Sequence, residues 1–189
     1  MRSTIAGQLD LLKFIVSRFI QEHIRYLMTG SLAVSAFGYP RATHDIDFVV
    51  VLETRSLSKL RQVLRSLGPD FLQNPDTLGE DPDVYTIQHH GTGIKIDLWL
   101  KNTGDFSREW KRRHVTKIGK LEITLVSPED LILTKLLWCK EVPSERHMRD
   151  CVGMWKVQKG KLDETYLFAQ AKTFGIGSLL KEVSETKEY

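Results

Sequence analysis

The segment DIDFVVVL, residues 45–52, constrains this chain more than any other. Its aromatic and β-branched run, Ile46 to Leu52, reads as an interior strand, whereas aspartate is among the residues least often buried without a partner or a metal. A chain built this way must carry a strand through its core and open it where two carboxylates are compensated. Side chains two apart leave the same face of a strand, so Asp45 and Asp47 look the same way, with Cβ atoms about 7 Å apart from twice the strand rise.

The same conflict recurs in IKIDLWL, residues 94–100. Ile94, Ile96, Leu98 and Leu100 point one way and Lys95, Asp97 and Trp99 the other, which leaves Asp97 a charge within an apolar strand. VYTIQHH precedes it across Gly91-Thr92-Gly93, a hairpin signature. A second hairpin, HVTKIGKLEITLVS, turns at Ile118–Lys120.

Helical spacing of Leu11, Leu12, Ile15, Val16, Phe19 and Ile20 predicts an opening amphipathic helix over about residues 5–22. IRYLM then reads as a short strand ending at Thr29-Gly30-Ser31, and LAVSAFG as a helix of about two turns ended by Gly38 and Pro40. Leu57, Leu60, Val63, Leu64 and Leu67 predict another helix, capped by Ser56 and stopped at Gly68, followed by a loop from Pro69 to Pro82. Ser127, Pro128, Glu129 and Asp130 mark a strong helix start. Two further helices are expected at Glu145–Gln158 and Asp163–Phe174, with a fraying tail, KEVSETKEY. The fold class is therefore α/β (α+β), a mixed sheet flanked by helices: an α/β core over residues 1–126 and a helical part over 127–189.

With 189 residues and 41% hydrophobic content the chain can bury one substantial core, and disorder is not its default. Its two cysteines, Cys139 and Cys151, form neither a disulfide framework nor a thiol metal cluster. No apolar run approaches the roughly 20 residues that span a bilayer, and a cytoplasmic protein without membrane contact is expected. Cations concentrate at Lys101, Arg108, Lys111, Arg112, Arg113, Lys117 and Lys120, against Asp105 and Glu109. Such a surface suits a phosphate-rich partner or a solvated helix face, and Trp110 within it is the aromatic residue worth testing against RNA.

Two anions held on one strand face repel each other and call for cations. Magnesium meets the need, since it takes hard oxygen ligands, keeps part of its water and enters with substrate phosphates. If the strand of Asp97 lies beside that of Asp47, the three carboxylates match a two-metal arrangement. Upstream, Gly30 lets backbone N–H groups approach a phosphate, Ser31 offers a hydroxyl, and the following helix turns its positive end to the anion. The six histidines form no metal site: His89 and His90 point to opposite faces, and His44, flanking the aspartate pair, is either a substrate contact or an ordinary polar residue.

TGSLAVSAFGYPRATHDIDFVV, with the later IKIDLWL and VSPEDLILTKLLW, resembles the DNA-polymerase-beta-type nucleotidyltransferase superfamily, specifically the small bacterial enzymes of abortive-infection and toxin-antitoxin systems. The resemblance spans about residues 24–155. It implies a nucleotidyltransferase-like sheet, metal carboxylates at Asp45 and Asp47, a third acid at Asp97, and a glycine-serine motif at Gly30 and Ser31. Magnesium or manganese is the implied cofactor, a nucleoside triphosphate such as ATP the donor, and an RNA end or a protein side chain the acceptor, with a toxin-antitoxin partner protein. Arg41 and Thr43 fit its R-x-T-x-D-x-D form: Arg41 either touches phosphate or pairs with Asp45, and Thr43 braces the loop. Lys135 either reaches the nucleotide, as the resemblance implies, or snorkels at the surface. Asp150 is expected to pair with Lys135 or Arg149. Two other readings stand beside transfer: a noncatalytic regulatory module on the same fold, and a metal-dependent phosphohydrolase.

Overall fold

The computed structural model describes residues 5–51, 53–80 and 84–186; Leu52 and Pro82, the ends of the expected strand and loop, lie outside them. The chain divides into two units, Met1–Ser31 with Thr43–Leu125, and Leu32–Ala42 with Val126–Tyr189. The first unit holds a sheet of seven strands: β1 (Tyr26–Thr29), β2 (Asp45–Val51), β3 (Phe71–Leu72), β4 (Val84–His89), β5 (Lys95–Lys101), β6 (His114–Ile118) and β7 (Leu121–Leu125). Their spatial order is β3-β4-β5-β2-β1-β7-β6. The pairs β2/β5 and β1/β7 are parallel and the remaining neighbours antiparallel, a mixed sheet.

Both faces of this sheet follow from the alternation in the sequence. Helix α1 (Gln8–Gln21) buries Leu11, Leu12, Ile15, Val16 and Phe19. Phe19 meets Phe48 edge-on at 5.3 Å and Tyr26 at 5.4 Å, so α1 covers the face that carries Ile46, Phe48 and Val50. Asp45 and Asp47 point to the opposite face. There Val49 and Val51 are buried, and a helix of residues 103–112 packs against β2 and joins its Glu109 to Lys101 of β5. The far half of the carboxylate face is thus covered, whereas Asp45 at its near end is exposed.

The sequence reading assigned no element to residues 103–112. Here Asn102 caps the helix by accepting from Asp105 N at 2.9 Å, and Phe106 is fully buried. With α2 (Gly30–Phe37) and α3 (Thr54–Ser66) preceding it, this helix is α4 (Thr103–Arg112). Helix α3 starts ahead of its expected cap: Glu53 is the N-cap residue, and Ser56 lies inside, donating to Glu53 Oε1 at 3.0 Å. The expected loop after Gly68 contains the short strand β3 and a 3₁₀ turn, Pro75–Thr77, capped by Asn74.

The second unit is helical: α5 (Pro128–Glu141), α6 (Glu145–Val157), α7 (Glu164–Phe174) and α8 (Gly177–Glu185), together with most of α2. Ser127 caps α5, accepting from Asp130 N at 3.1 Å. Leu32–Ala42 belongs here because Gln158 donates to Phe37 O at 2.8 Å and the Tyr39 ring lies on Gly153, where a Cβ would meet it at 3.0 Å. Helix α8 corrects the expected fraying tail as far as Glu185, residues 187–189 lying outside the described ones: Leu180 and Val183 are fully buried, and Gly175, at φ +65, turns the chain back after α7.

Candidate active site

The strand order brings together the three positions that carry the motif. Strand β1 runs antiparallel to β2, so its end meets the start of β2 and Thr29 pairs with Asp47. Strand β5 runs parallel to β2 in a register that sets Asp97 directly beside Asp47, and Lys95 beside Asp45. Neighbouring strands lie about 4.8 Å apart, so Asp47 and Asp97 leave the same face as adjacent side chains. A one-residue slip in either strand would turn one of them into the core.

The Asp47 carboxylate is confined from two sides. Its Oδ1 accepts the indole N–H of Trp99 at 3.2 Å. Its Oδ2 occupies the place a side chain would take at Gly30, where a Cβ would stand 1.9 Å away, and Gly30 itself adopts φ +62. Glycine is required twice at this position, for its backbone conformation and for the carboxylate packed on it. Replacing Gly30 by alanine is therefore expected to cost about 2 kcal/mol from the left-handed backbone alone. It would also displace Asp47, with a loss of any Asp47-dependent activity on the order of 100-fold. Denaturant unfolding and turnover of the same preparation check both effects.

The remaining motif residues of the sheet unit are placed as follows. Thr43 Oγ1 accepts from Asp45 N at 3.3 Å, bracing the approach to β2. Gln8 adds a tie from α1, donating to Thr43 O at 3.1 Å and to Asp45 O at 3.2 Å. Ser31 is buried in the first turn of α2. Asp97 accepts the Thr86 hydroxyl of β4 at 2.7 Å on its Oδ1.

Among the described residues no group of three or more His, Cys, Asp or Glu is arranged to hold a metal ion by itself. What the sheet offers is a pair of adjacent carboxylates, with Asp45 exposed at the strand's mouth. All three donors are hard oxygens. Their chemistry fits a cation that arrives with part of its shell supplied by phosphate and water, and it does not fit a preformed protein cage.

Arg41 and Lys135 lie in the helical unit, on one partner. Asp150 of α6 receives Arg41 Nε at 3.1 Å and Arg41 Nη2 at 3.2 Å, and the Lys135 ammonium at 2.9 Å. Arg41 thus makes an ion pair with Asp150 that the sequence reading did not foresee, and Lys135, 2% exposed, does not snorkel at the surface, which corrects that expectation. Its ammonium also stands 3.5 Å from His147 Nδ1. Burial and then the charge of Lys135 hold the His147 imidazole below its usual range. Two cations thus share one nearly buried carboxylate.

The basic segment after β5 is more occupied than its composition suggests. Lys101 is paired with Glu109, Arg108 with Asp105 at 2.6 Å, and Arg113 lies 4.5 Å from the centre of the Trp110 ring, with Arg25 at 5.9 Å from the same ring. Trp110 serves first as a platform for guanidinium groups of its own chain.

Sequence reasoning missed Trp99 and Thr86 as partners of the acids. Trp99 was legible in principle, being two residues from Asp97 and therefore on its face; Thr86 depended on the exact hairpin register, Thr86 opposite Asp97.

No family model matches the chain, and no curated protein matches it. Solved structures do. An antigenic nucleotidyltransferase-like protein from Paracoccidioides brasiliensis is similar at 18% identity and a TM-score of 0.54, with 90% of each chain covered. ANT(2'')-Ia, solved in complex with adenylyl-2''-tobramycin, is similar at 15% identity and a TM-score of 0.62, over 89% of this chain and 97% of that one. The lincosamide antibiotic adenylyltransferase LnuA, solved with lincomycin bound, is similar at 15% identity and a TM-score of 0.57, over 80% and 98%. Sheet order, the helices around it and these likenesses together show that the chain shares the fold of these nucleotidyltransferase and adenylyltransferase structures.

Proposed function

We propose that the chain is a magnesium-dependent nucleotidyltransferase that moves a nucleoside monophosphate from a nucleoside triphosphate to an acceptor hydroxyl. The observation that carries the reading is the in-register pair Asp47 and Asp97, with Gly30 giving way to one of them. Asp45, Asp47 and Asp97 would hold magnesium, or manganese in its place, which supplies Lewis acidity at the α-phosphate and charge for the leaving group. In the step itself the acceptor oxygen forms a bond to the α-phosphorus while the bond from that phosphorus to the bridging oxygen breaks. Pyrophosphate leaves with the electron pair, and the hydroxyl proton passes to Asp97 and on to water. Gly30 and Ser31 would present the start of α2 to a phosphate, with Thr43 holding the approach to Asp45. Arg41 and Lys135, the two cations on Asp150, would serve nucleotide phosphates.

The acceptor is an RNA end or a protein hydroxyl, the latter matching a toxin-antitoxin partner. A hydroxylated small molecule is the third arm of the test, since ANT(2'')-Ia and LnuA were solved with tobramycin and lincomycin compounds. The test incubates the protein and magnesium with each α-phosphate-labelled triphosphate in turn, ATP first, together with cellular RNA, candidate partner proteins or aminoglycosides. Label in an acceptor, lost on chelation of the metal, is expected. Free labelled nucleotide alone would favour the phosphohydrolase, and no reaction under any pairing the noncatalytic module. If RNA accepts, neutralising Lys111, Arg112 and Arg113 together is expected to weaken binding and flatten its salt dependence, because fewer counterions are released.

A further inference from the structure

We infer that Trp99 and Thr86 are positioning residues that fix the two adjacent carboxylates for metal binding, an inference that rests on the transferase reading above. Each carboxylate accepts on its Oδ1 from a neutral donor of the same sheet face: Asp47 from the Trp99 indole at 3.2 Å, Asp97 from the Thr86 hydroxyl at 2.7 Å. The arrangement is a closed pattern of strand register. Asp97 stands beside Asp47 across β5 and β2, Thr86 stands opposite Asp97 across β4 and β5, and Trp99 follows Asp97 by two on the same face.

Neutral donors are the right partners for ligands of a cation. An arginine or lysine at either place would satisfy the carboxylate as an ion pair and compete with the metal for its charge. An indole N–H or a hydroxyl orients one oxygen and leaves the negative charge in place. Asp47 is constrained further, since the backbone of Gly30 blocks movement of Oδ2 on its other side. Trp99 and Gly30 thus restrain its plane before any ion arrives. Two carboxylates held side by side repel, and without such restraints they would turn apart. The donors thus hold a geometry that only a bound cation makes favourable.

Isosteric substitutions separate orientation from packing. Trp99→Phe keeps an aromatic ring and removes the N–H, and Thr86→Val keeps the shape of an exposed residue and removes the hydroxyl. Free Mn2+ is measured by electron paramagnetic resonance during titration of the full chain with a non-hydrolysable α,β-methylene triphosphate present, and thermal unfolding is recorded on the same samples. The expected result is a 10- to 100-fold weaker Mn2+ affinity in each variant, with unfolding temperatures close to that of the unchanged chain. Thr86→Ser, which keeps the hydroxyl, is expected to bind Mn2+ normally. Unchanged Mn2+ affinity in both Trp99→Phe and Thr86→Val would overturn the inference while leaving the transferase reading intact. A large loss of unfolding temperature without a loss of Mn2+ affinity would also overturn it, by making the residues structural. Failure of the unchanged chain to bind Mn2+ with nucleotide would overturn the transferase reading itself.

Discussion

Replacing Asp47 by asparagine is expected to leave the fold intact and lower nucleotidyl transfer by on the order of 1,000-fold or more, since a metal ligand's charge is worth several kcal/mol in the transition state. The substitution is close to isosteric: an asparagine carbonyl oxygen can still accept from Trp99 Nε1, and the space beside Gly30 remains sufficient. What disappears is the negative charge. Asp97→Asn is expected to act in the same direction, and Asp45→Asn with them, because all three look out from the same sheet face. Steady-state transfer with folded protein, verified by unfolding curves, checks the result. Full activity in Asp47→Asn would remove it from the metal site.

The second large effect is on stability and lies in the helical unit. Lys135 is 2% exposed and depends on Asp150 at 2.9 Å, while Arg41 shares the same carboxylate. Asp150→Ala leaves a buried ammonium without its counter-charge, which is expected to cost about 3–5 kcal/mol, lowering the unfolding temperature by about 10 °C. Replacing both ends, Lys135→Met with Asp150→Leu, is expected to recover most of that loss, because the buried charge goes along with its partner. Thermal unfolding of the single and double variants is the measurement. Transfer by the stability-restored double variant then reports what Lys135 and the held Arg41 contribute beyond folding.

What could be read from the sequence was set by periodicity. Ile94 to Leu100 alternates strictly, and Asp45 and Asp47 stand two apart at the head of a continuous apolar run, so the face of each acid on its own strand could be read before any coordinates, while their meeting depended on the β2/β5 register. Ser127, Pro128 and the acidic turn after them likewise marked the start of α5 from local chemistry alone. Helix α4 escaped notice because its apolar stripe is reduced to Phe106 and Trp110 amid charged residues, and its partners lie outside it: Lys101 of β5 for Glu109, and Arg25, just before β1, over the Phe106 ring. The role of Gly30 was legible only in part. A turn that lets a phosphate approach follows from the residue type, but a carboxylate lodged at its Cα depends on the β1/β2 register. The ion pair of Arg41 with Asp150 joins residues more than a hundred positions apart, and no local pattern encodes it.

On the proposed function, Asp47 and Asp97 hold the metal on which transfer depends. Anomalous scattering from crystals grown with Mn2+ and a non-hydrolysable α,β-methylene triphosphate tests it most directly. A manganese peak is expected between the two carboxylates, within about 2.3 Å of an oxygen from each, with nucleotide phosphate completing the shell. Bound nucleotide with manganese elsewhere, or with no manganese at these side chains, would contradict it.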